Sequence, residues 1–358
     1  MRISRVGFAL AVSLALLVGG CSGGATTAPT AAPATQAPSA ATAAPETPAA
    51  SAESFKVAFF AASSQNGFNQ AVYEGVQKAG AALGVETTIF DGEFNSQVQL
   101  NQMEDAIASG RFDGFVLLAN DTVGIASVVE QAWKAGIPTA TTLFPIGPNL
   151  GTLEKQVEGI VGTVARPPAD GAKLEADAVV AFCADKDPCN VVILIGQLQY
   201  PFDKVRYDTF TSVLGEHKNI KVVATGEGNY DRDTSLKAMQ DIIQANPKID
   251  AILSNADQHL FGAEVALQDA GIDVQKLYLV GAGAMVEAVD AVRAGRWDAT
   301  LADYPRTMGE KALEIVVKEL KGEPHDSVIN EDTFYPFGPL LTTEILKQHT
   351  DFVGESRG

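Results

Sequence analysis

The sequence predicts an α/β protein built as two similar lobes, and two observations carry that prediction. Apolar runs of strand length alternate with stretches of helical spacing from residue 55 to residue 302. Alternation on this scale implies parallel sheets covered by helices on both faces. The second observation is an internal echo. Met103, Asp105 and Ile107 recur as Met239, Asp241 and Ile243, Asp121 recurs as Asp257, and Ala135-Gly136-Ile137 recurs as Ala270-Gly271-Ile272. Each pair lies 135 or 136 positions apart, which favours two lobes of common architecture.

Residues 55–61 read as an apolar strand. Residues 69–83 carry helical spacing, with Val72, Val76, Ala79 and Leu83 on one face. A strand at 85–90, a helix at 98–108, a strand at 112–119, a helix at 123–135 and a strand at 137–143 complete the first half. The pattern restarts with a strand at 191–195. It continues through helix 205–214, strand 221–225, helix 234–244, strand 249–254 and helix 260–270. Strand 277–280, helix 286–294 and strand 299–302 finish it. Each Ala-Gly-Ile reads as a helix end capped by a left-handed glycine and followed by a strand.

The chain has 358 residues and a formal net charge of -18. That length is enough for two domains and a large core. The acidic balance argues against nucleic-acid binding and against a polybasic membrane patch. Three cysteines and four histidines are too few for a disulfide scaffold or a metal-rich protein. No metal and no cofactor is expected.

Residues 1–20 read as an export signal. Arg2 and Arg5 precede an apolar run from 6 to 18 that is short for a membrane span. Leu17-Val18-Gly19-Gly20-Cys21 resembles the lipobox of bacterial lipoproteins, with Gly19 a slight departure from the commonest pattern. The resemblance implies a lipidated Cys21 that anchors the chain at the outer side of the cell membrane. Of the 33 residues from 22 to 54, 28 are Ala, Thr, Pro or Ser. Such a segment cannot bury enough surface to offset its ordering entropy, and reads as a tether.

In open α/β sheets, ligands bind beyond the carboxyl ends of the strands. Residues 62–68, 120–121, 143–144, 197–206, 228–230, 255–257, 281–283 and 303–304 follow predicted strands. Two lobes facing one another would enclose a cleft between these segments.

Ser63-Ser64-Gln65-Asn66-Gly67-Phe68, Phe112-Asp113-Gly114, Ala135-Gly136-Ile137-Pro138 and Arg206 four before Phe210 form one part of an ordered series. Tyr230-Asp231-Arg232, Asn255-Ala256-Asp257 with Gly262, and Leu279-Val280-Gly281 form the rest. Over about residues 55 to 340, this series resembles the type I periplasmic sugar-binding family typified by ribose-binding protein. The resemblance implies two Rossmann-like lobes, one at 55–164 plus 304–333 and the other at 165–303 plus 334–353, joined by a three-strand hinge. It implies closure on a small carbohydrate or sugar-like ligand, and its delivery to the permease of an ABC importer. Working as a monomer and performing no catalysis are further expectations. A nucleoside-binding lipoprotein and a ligand sensor for a membrane receptor are the alternatives.

Carried over by position, Asn66 would bond ligand hydroxyls and Phe68 would stack on a sugar face. Arg206 would present its donor fork. Tyr230 would form an aromatic wall, Asn255 and Asp257 would supply polar contacts, and Asp303 would supply another. Phe144, Tyr200 and Phe202 are nearby stacking surface. The chain departs from the family where an Asp-Arg pair becomes Leu143-Phe144, an Asp becomes Gly283 and an Asn becomes Ala256. The pocket is therefore expected to be less polar than one for a plain pentose or hexose. Structural roles compete at several positions. Phe68 and Phe144 fit a core, Arg206 has Asp203 and Asp208 as partners on its helix, and Asp257 and Asp231 suit helix N-caps.

Cys183 and Cys189 flank a short loop, and outside the cytoplasm they are expected to form a local disulfide. No Walker A or H-E-x-x-H motif occurs, and the two G-x-S-x-G matches, at 20–24 and 354–358, do not stand between a predicted strand and a helix as a nucleophile elbow would.

Overall fold

A computed structural model describes residues 54–358. Residues 1–53, with the export signal, Cys21 and nearly all of the tether, lie outside them.

The strands β1 (Lys56–Ala61), β2 (Glu86–Asp91), β3 (Gly114–Leu117), β4 (Thr139–Leu143) and β5 (Ile160–Ala165) alternate with α1 (Gly67–Leu83), α2 (Ser96–Ser109) and α3 (Ala126–Lys134). Together with β11 (Val328–Asn330) they form one sheet in the order β11-β5-β4-β3-β1-β2, parallel throughout. The second lobe holds β6 (Cys189–Ile195), β7 (Ile220–Glu227), β8 (Ala251–Ser254), β9 (Tyr278–Ala282) and β10 (Ala299–Leu301). Its helices are α4 (Pro168–Phe182), α5 (Pro201–Gly215), α6 (Arg232–Ala245), α7 (Asp257–Asp269) and α8 (Val286–Arg293). Its sheet runs β12-β10-β9-β8-β6-β7, where β12 (Leu340–Thr342) is the antiparallel edge. The helices α9 (Pro305–Lys321) and α10 (Thr343–Gln348) complete the chain.

The predicted alternation is present in both lobes. β1 and β6 are nearly continuous apolar runs because helices cover both faces of each sheet. Gly136 and Gly271 take φ of 82° and 70°, the left-handed conformation the two Ala-Gly-Ile sites called for. Cys183 and Cys189 are disulfide-bonded, tying the end of α4 to the start of β6.

Six elements lie outside the sequence-predicted set: β5, α4, α9, β11, β12 and α10. β11 and β12 have three residues each, too few for a period to show. Helix α4 is Ala-rich, with a weakly marked apolar face. Helix α9 did carry the signal, because Met308, Ala312, Leu313, Ile315 and Val316 recur at helical spacing and are buried. It crosses α1 closely. A Cβ on Gly75 would stand 1.9 Å from the Arg306 carbonyl oxygen, and one on Gly309 would stand 2.0 Å from that of Val72.

The chain passes between the sheets after Ala165, after Leu301, and between Asn330 and Leu340. One guanidinium reaches all three crossings. Arg166 Nη1 lies 3.0 Å from Asp303 Oδ1, its Nε donates to Asp332 Oδ1 at 2.6 Å, and its Nη2 donates to the Ala302 carbonyl at 2.7 Å. Glu331 is a further neighbour at 3.5 Å, and burial raises its pKa well above the usual range despite Arg166.

Candidate functional site

Between the lobes, at the carboxyl ends of both sheets, lies a cavity holding about 630 Å³ of space free of atoms. Asn66, Phe68, Phe144, Tyr200, Phe202, Arg206, Tyr230, Asn255 and Asp303 all line it.

The N-terminal wall begins at the helix α1 terminus. Asn66 caps that helix by accepting from the backbone N–H of Phe68 and Asn69, which fixes its side chain and leaves its amide NH2 toward other partners. Behind it, Asn69 Oδ1 accepts from Ala62 N at 2.9 Å, and Asn120 Nδ2 donates to the Ala62 carbonyl at 3.1 Å. Leu118, Leu143 and Phe144 make the rest of this wall apolar. Leu143 adopts φ of 68° as the chain leaves β4. A branched residue there costs about 1–2 kcal/mol, so tertiary packing holds it.

The C-terminal wall is a bonded polar network. Asp203, fully buried in the first turn of α5, accepts from Tyr230 Oη at 2.6 Å, Asn255 Nδ2 at 2.8 Å and Gln197 N at 2.6 Å. Burial pushes its pKa up to about 6, against the pull of Arg206. Arg206 sits 3.7 Å from Asp203 Oδ1, and no hydrogen bond among the described residues uses its guanidinium. Asp208, the other candidate partner, pairs with Lys204 instead. Asn255 Oδ1 is likewise buried without a partner. Arg206 and Asn255 both line the cavity, and both lie against Asp203. Glu175 is also buried, and burial raises its pKa well above the usual carboxylate range against the pull of Arg206.

His259 braces this wall. Its Nε2 accepts from Tyr230 N at 3.0 Å, so the proton sits on Nδ1, which contacts Ser254 Oγ at 3.1 Å. Burial, then the charge of Arg206, lowers its pKa to about 3.

Aromatic rings join the lobes across the cavity. Phe144 of the N-terminal lobe stacks on Phe202 of the other at 4.1 Å, and Tyr200 stacks on Phe202 at 5.9 Å. Arg206 lies over the Phe144 ring at 4.9 Å. These three rings form one interlobe stack on the cavity lining.

Asp257 requires a correction. It is fully buried, does not line the cavity, and does not cap its own helix, whose N-cap is Ala256. It accepts from Met285 N at 2.9 Å and Thr300 Oγ1 at 2.8 Å, bracing the loop after β9. Gly281 and Gly283 leave the room it occupies, since a Cβ on Gly281 would stand 2.5 Å from Asp257 Oδ1. Asp231 does cap α6, accepting from Thr234 N at 2.7 Å.

Sequence reasoning missed Phe94, Asn69, Leu118, Gln258 and Met285, which also line the cavity. Phe94 was reachable. It stands 136 residues before Tyr230, the same offset that relates the two halves.

Comparison with known proteins gives this geometry a family. At 27% identity over 272 residues, the ribose import binding protein of Salmonella typhimurium aligns with 75% of this chain and 85% of its own length. The D-allose-binding periplasmic protein of Escherichia coli is 29% identical over 252 residues, covering 68% of this chain and 78% of its own. The crystal structure of the Caulobacter myo-inositol binding protein superposes with a TM-score of 0.71 at 22% identity, over 82% of this chain and 95% of that one. Residues 57–324 match the model of the periplasmic binding protein domain, and the chain belongs to that family.

Proposed function

We propose that this chain captures a small carbohydrate or sugar-like solute in the interlobe cleft and hands it to the permease of an ABC importer. The observation that carries this reading is the meeting, in one interlobe cavity, of a guanidinium that makes no hydrogen bond among the described residues, the Asn255 amide, and aromatic rings. Hydroxyls ask for planar donors and acceptors, and C–H faces ask for rings. The relatives named for ribose and allose support the solute class. Binding follows hinge closure, in which the solute shifts the population of closed molecules by its greater affinity for them. The lobe boundaries fall at 164/165, 303/304 and 333/334. Cys21 carries the lipid anchor, and the protein works as a non-enzymatic monomer outside the cytoplasm.

The ligand is less hydroxylated than a plain pentose or hexose. Leu118, Leu143, Phe144 and Gly283 line the cavity where an all-polar wall would serve a free sugar. That same wall favours a nucleoside as the second reading.

A thermal-shift screen tests both, using the full chain carrying Cys21→Ser against sugars, polyols, derivatised sugars and nucleosides. A ligand that binds only the folded state raises the melting temperature by mass action. Hits confined to derivatised sugars or polyols support the first reading. Hits confined to nucleosides replace it with the second. An absence of hits in every class removes the solute assignment.

A further inference from the structure

The cavity has a mouth, and two rings stand in it. The cavity and a shallower outer basin share four lining residues: Asn66, Phe94, Tyr230 and Gln258. Phe94 comes from the loop after β2, and Tyr230 from the loop after β7. Their rings stack at 5.8 Å with an interplanar angle of 21°, one from each lobe. Tyr200 Oη also donates to the Phe94 carbonyl across the lobes, at 2.9 Å.

The two loops are equivalent in the duplicated architecture. Each aromatic residue directly precedes a helix N-cap, Asn95 for α2 and Asp231 for α6. Each sits in a pair of left-handed residues. Glu93 and Phe94 have φ of 53° and 49°, while Asn229 and Tyr230 have 51° and 56°. Non-glycine residues rarely adopt this conformation, and it persists only where surrounding bonds over-determine it. Those bonds are present. Phe94 N donates to the Ala62 carbonyl at 2.8 Å, and Tyr230 N to His259 Nε2. The strained backbone points matching rings at each other from opposite sides of the cleft.

We propose that Phe94 and Tyr230 form an aromatic gate between the solute cavity and the outer basin, parted on entry and stacked again behind a bound solute. This deepens the solute-binding reading and rests on it. Phe94 is the telling half, because Tyr230 also belongs to the polar network of the C-terminal wall.

The test needs no known ligand. In the full chain, Cys21→Ser with Ala282→Cys leaves one free thiol on the cavity lining, beside the Cys183–Cys189 disulfide. Its reaction with N-ethylmaleimide reports opening of the mouth. Adding Phe94→Ala is expected to speed this reaction at least tenfold with the melting temperature held, and Phe94→Tyr is expected to leave it slow. Equal rates in all three overturn the gate, as does a faster reaction that merely tracks a fall in melting temperature across the Ala and Tyr variants. A second arm follows release of D-ribose, myo-inositol and adenosine. A gate predicts that Phe94→Ala raises the release rate by a similar factor for every probe the parent binds. A factor confined to one probe overturns gating in favour of direct contact with that solute. If the parent binds none of them, the solute reading is in trouble while the thiol arm still decides the gate.

Discussion

On the C-terminal lobe, the wall of the cleft is a closed network of Asp203, Tyr230 and Asn255 that leaves one amide oxygen without a partner and Arg206 paired with Asp203 by charge but without a hydrogen bond from its guanidinium among the described residues. On the N-terminal lobe, the facing wall holds the Asn69 and Asn120 amides tied to the backbone and Asn66, whose oxygen caps α1 while its NH2 stays available, with Phe68, Phe94, Leu118 and Leu143 between them. The two walls grow from equivalent strand ends of a repeated architecture, yet their chemistry differs. Charge-assisted bonds are directional and strong, so under the proposed function the C-terminal wall would set which solute fits and in what orientation. The apolar wall excludes water and adds area, which strengthens the polar contacts it covers. The repeated aspartates tell the same story. Asp121 serves an exposed turn by accepting from Val123 N and Gly124 N, whereas Asp257 is buried and braces a neighbouring loop. Duplication copied the position, and the surroundings chose the role.

The sharpest way to break this contrast is Arg206→Ala. A bound solute making two charge-assisted bonds to the fork loses at least about 100-fold in affinity, and the melting temperature of the free protein falls as well, because the buried Asp203 and Glu175 lose their nearest cation. Arg206→Lys should not restore binding, because an ammonium lacks the planar fork. Titration calorimetry on the best screening hit measures both, and affinity retained within threefold would strip the C-terminal wall of its anchoring role.

The next largest effect is on stability and pH. His259 is neutral in the folded protein down to about pH 3, but an unfolded histidine charges near 6.5. Between those values the unfolded state holds more protons, so this residue's contribution is lost as pH falls. Asp203 has the opposite sign. Its folded pKa is raised to about 6, so its contribution grows as pH falls through that value toward the unfolded one. Comparing wild type with His259→Gln isolates the first effect. Relative to the variant, wild type is expected to lose about 3 kcal/mol between pH 7 and pH 4, read by denaturant titration. A constant difference across that range would mean that His259 is not the buried acceptor for Tyr230 N.

Asn255→Ala is expected to cost about tenfold in affinity, since its orphan oxygen offers one bond of about 1–1.5 kcal/mol. The mildest change tests the other wall. Phe68→Leu keeps the apolar cover and loses the ring, so affinity should fall only about threefold, from loss of ring-specific contact. A loss larger than that of Asn255→Ala would reverse the assignment of roles to the two walls.

Much of this was legible along the chain. Period and punctuation located the alternating elements, because a parallel sheet between helix layers leaves long apolar strands and helical stripes. Arg206, Asn66 and Asn255 were legible because ligands meet such sheets at strand ends. Asp257 was not. An aspartate after a strand suits a cap, a ligand contact or a buried brace equally well, and only the vacant volume at Gly281 and Gly283 settles which. Phe94 is marked only by its 136-residue offset from Tyr230, a relation between the two halves that the local pattern after β2 does not carry.

The sequence by itself determined the layered α/β architecture, the duplication, the bonded cysteine pair and the kinds of side chain that reach the cleft. These follow from local periodicity, from glycine caps and from spacing, all of which act over short distances. Tertiary structure alone decided that Phe144 stacks on Phe202, that Arg166 ties three crossings together, and that Phe94 meets Tyr230. Those pairings join residues 58 to 166 positions apart in the chain. Their partners are chosen by how the two lobes face each other, a relation that no local pattern encodes.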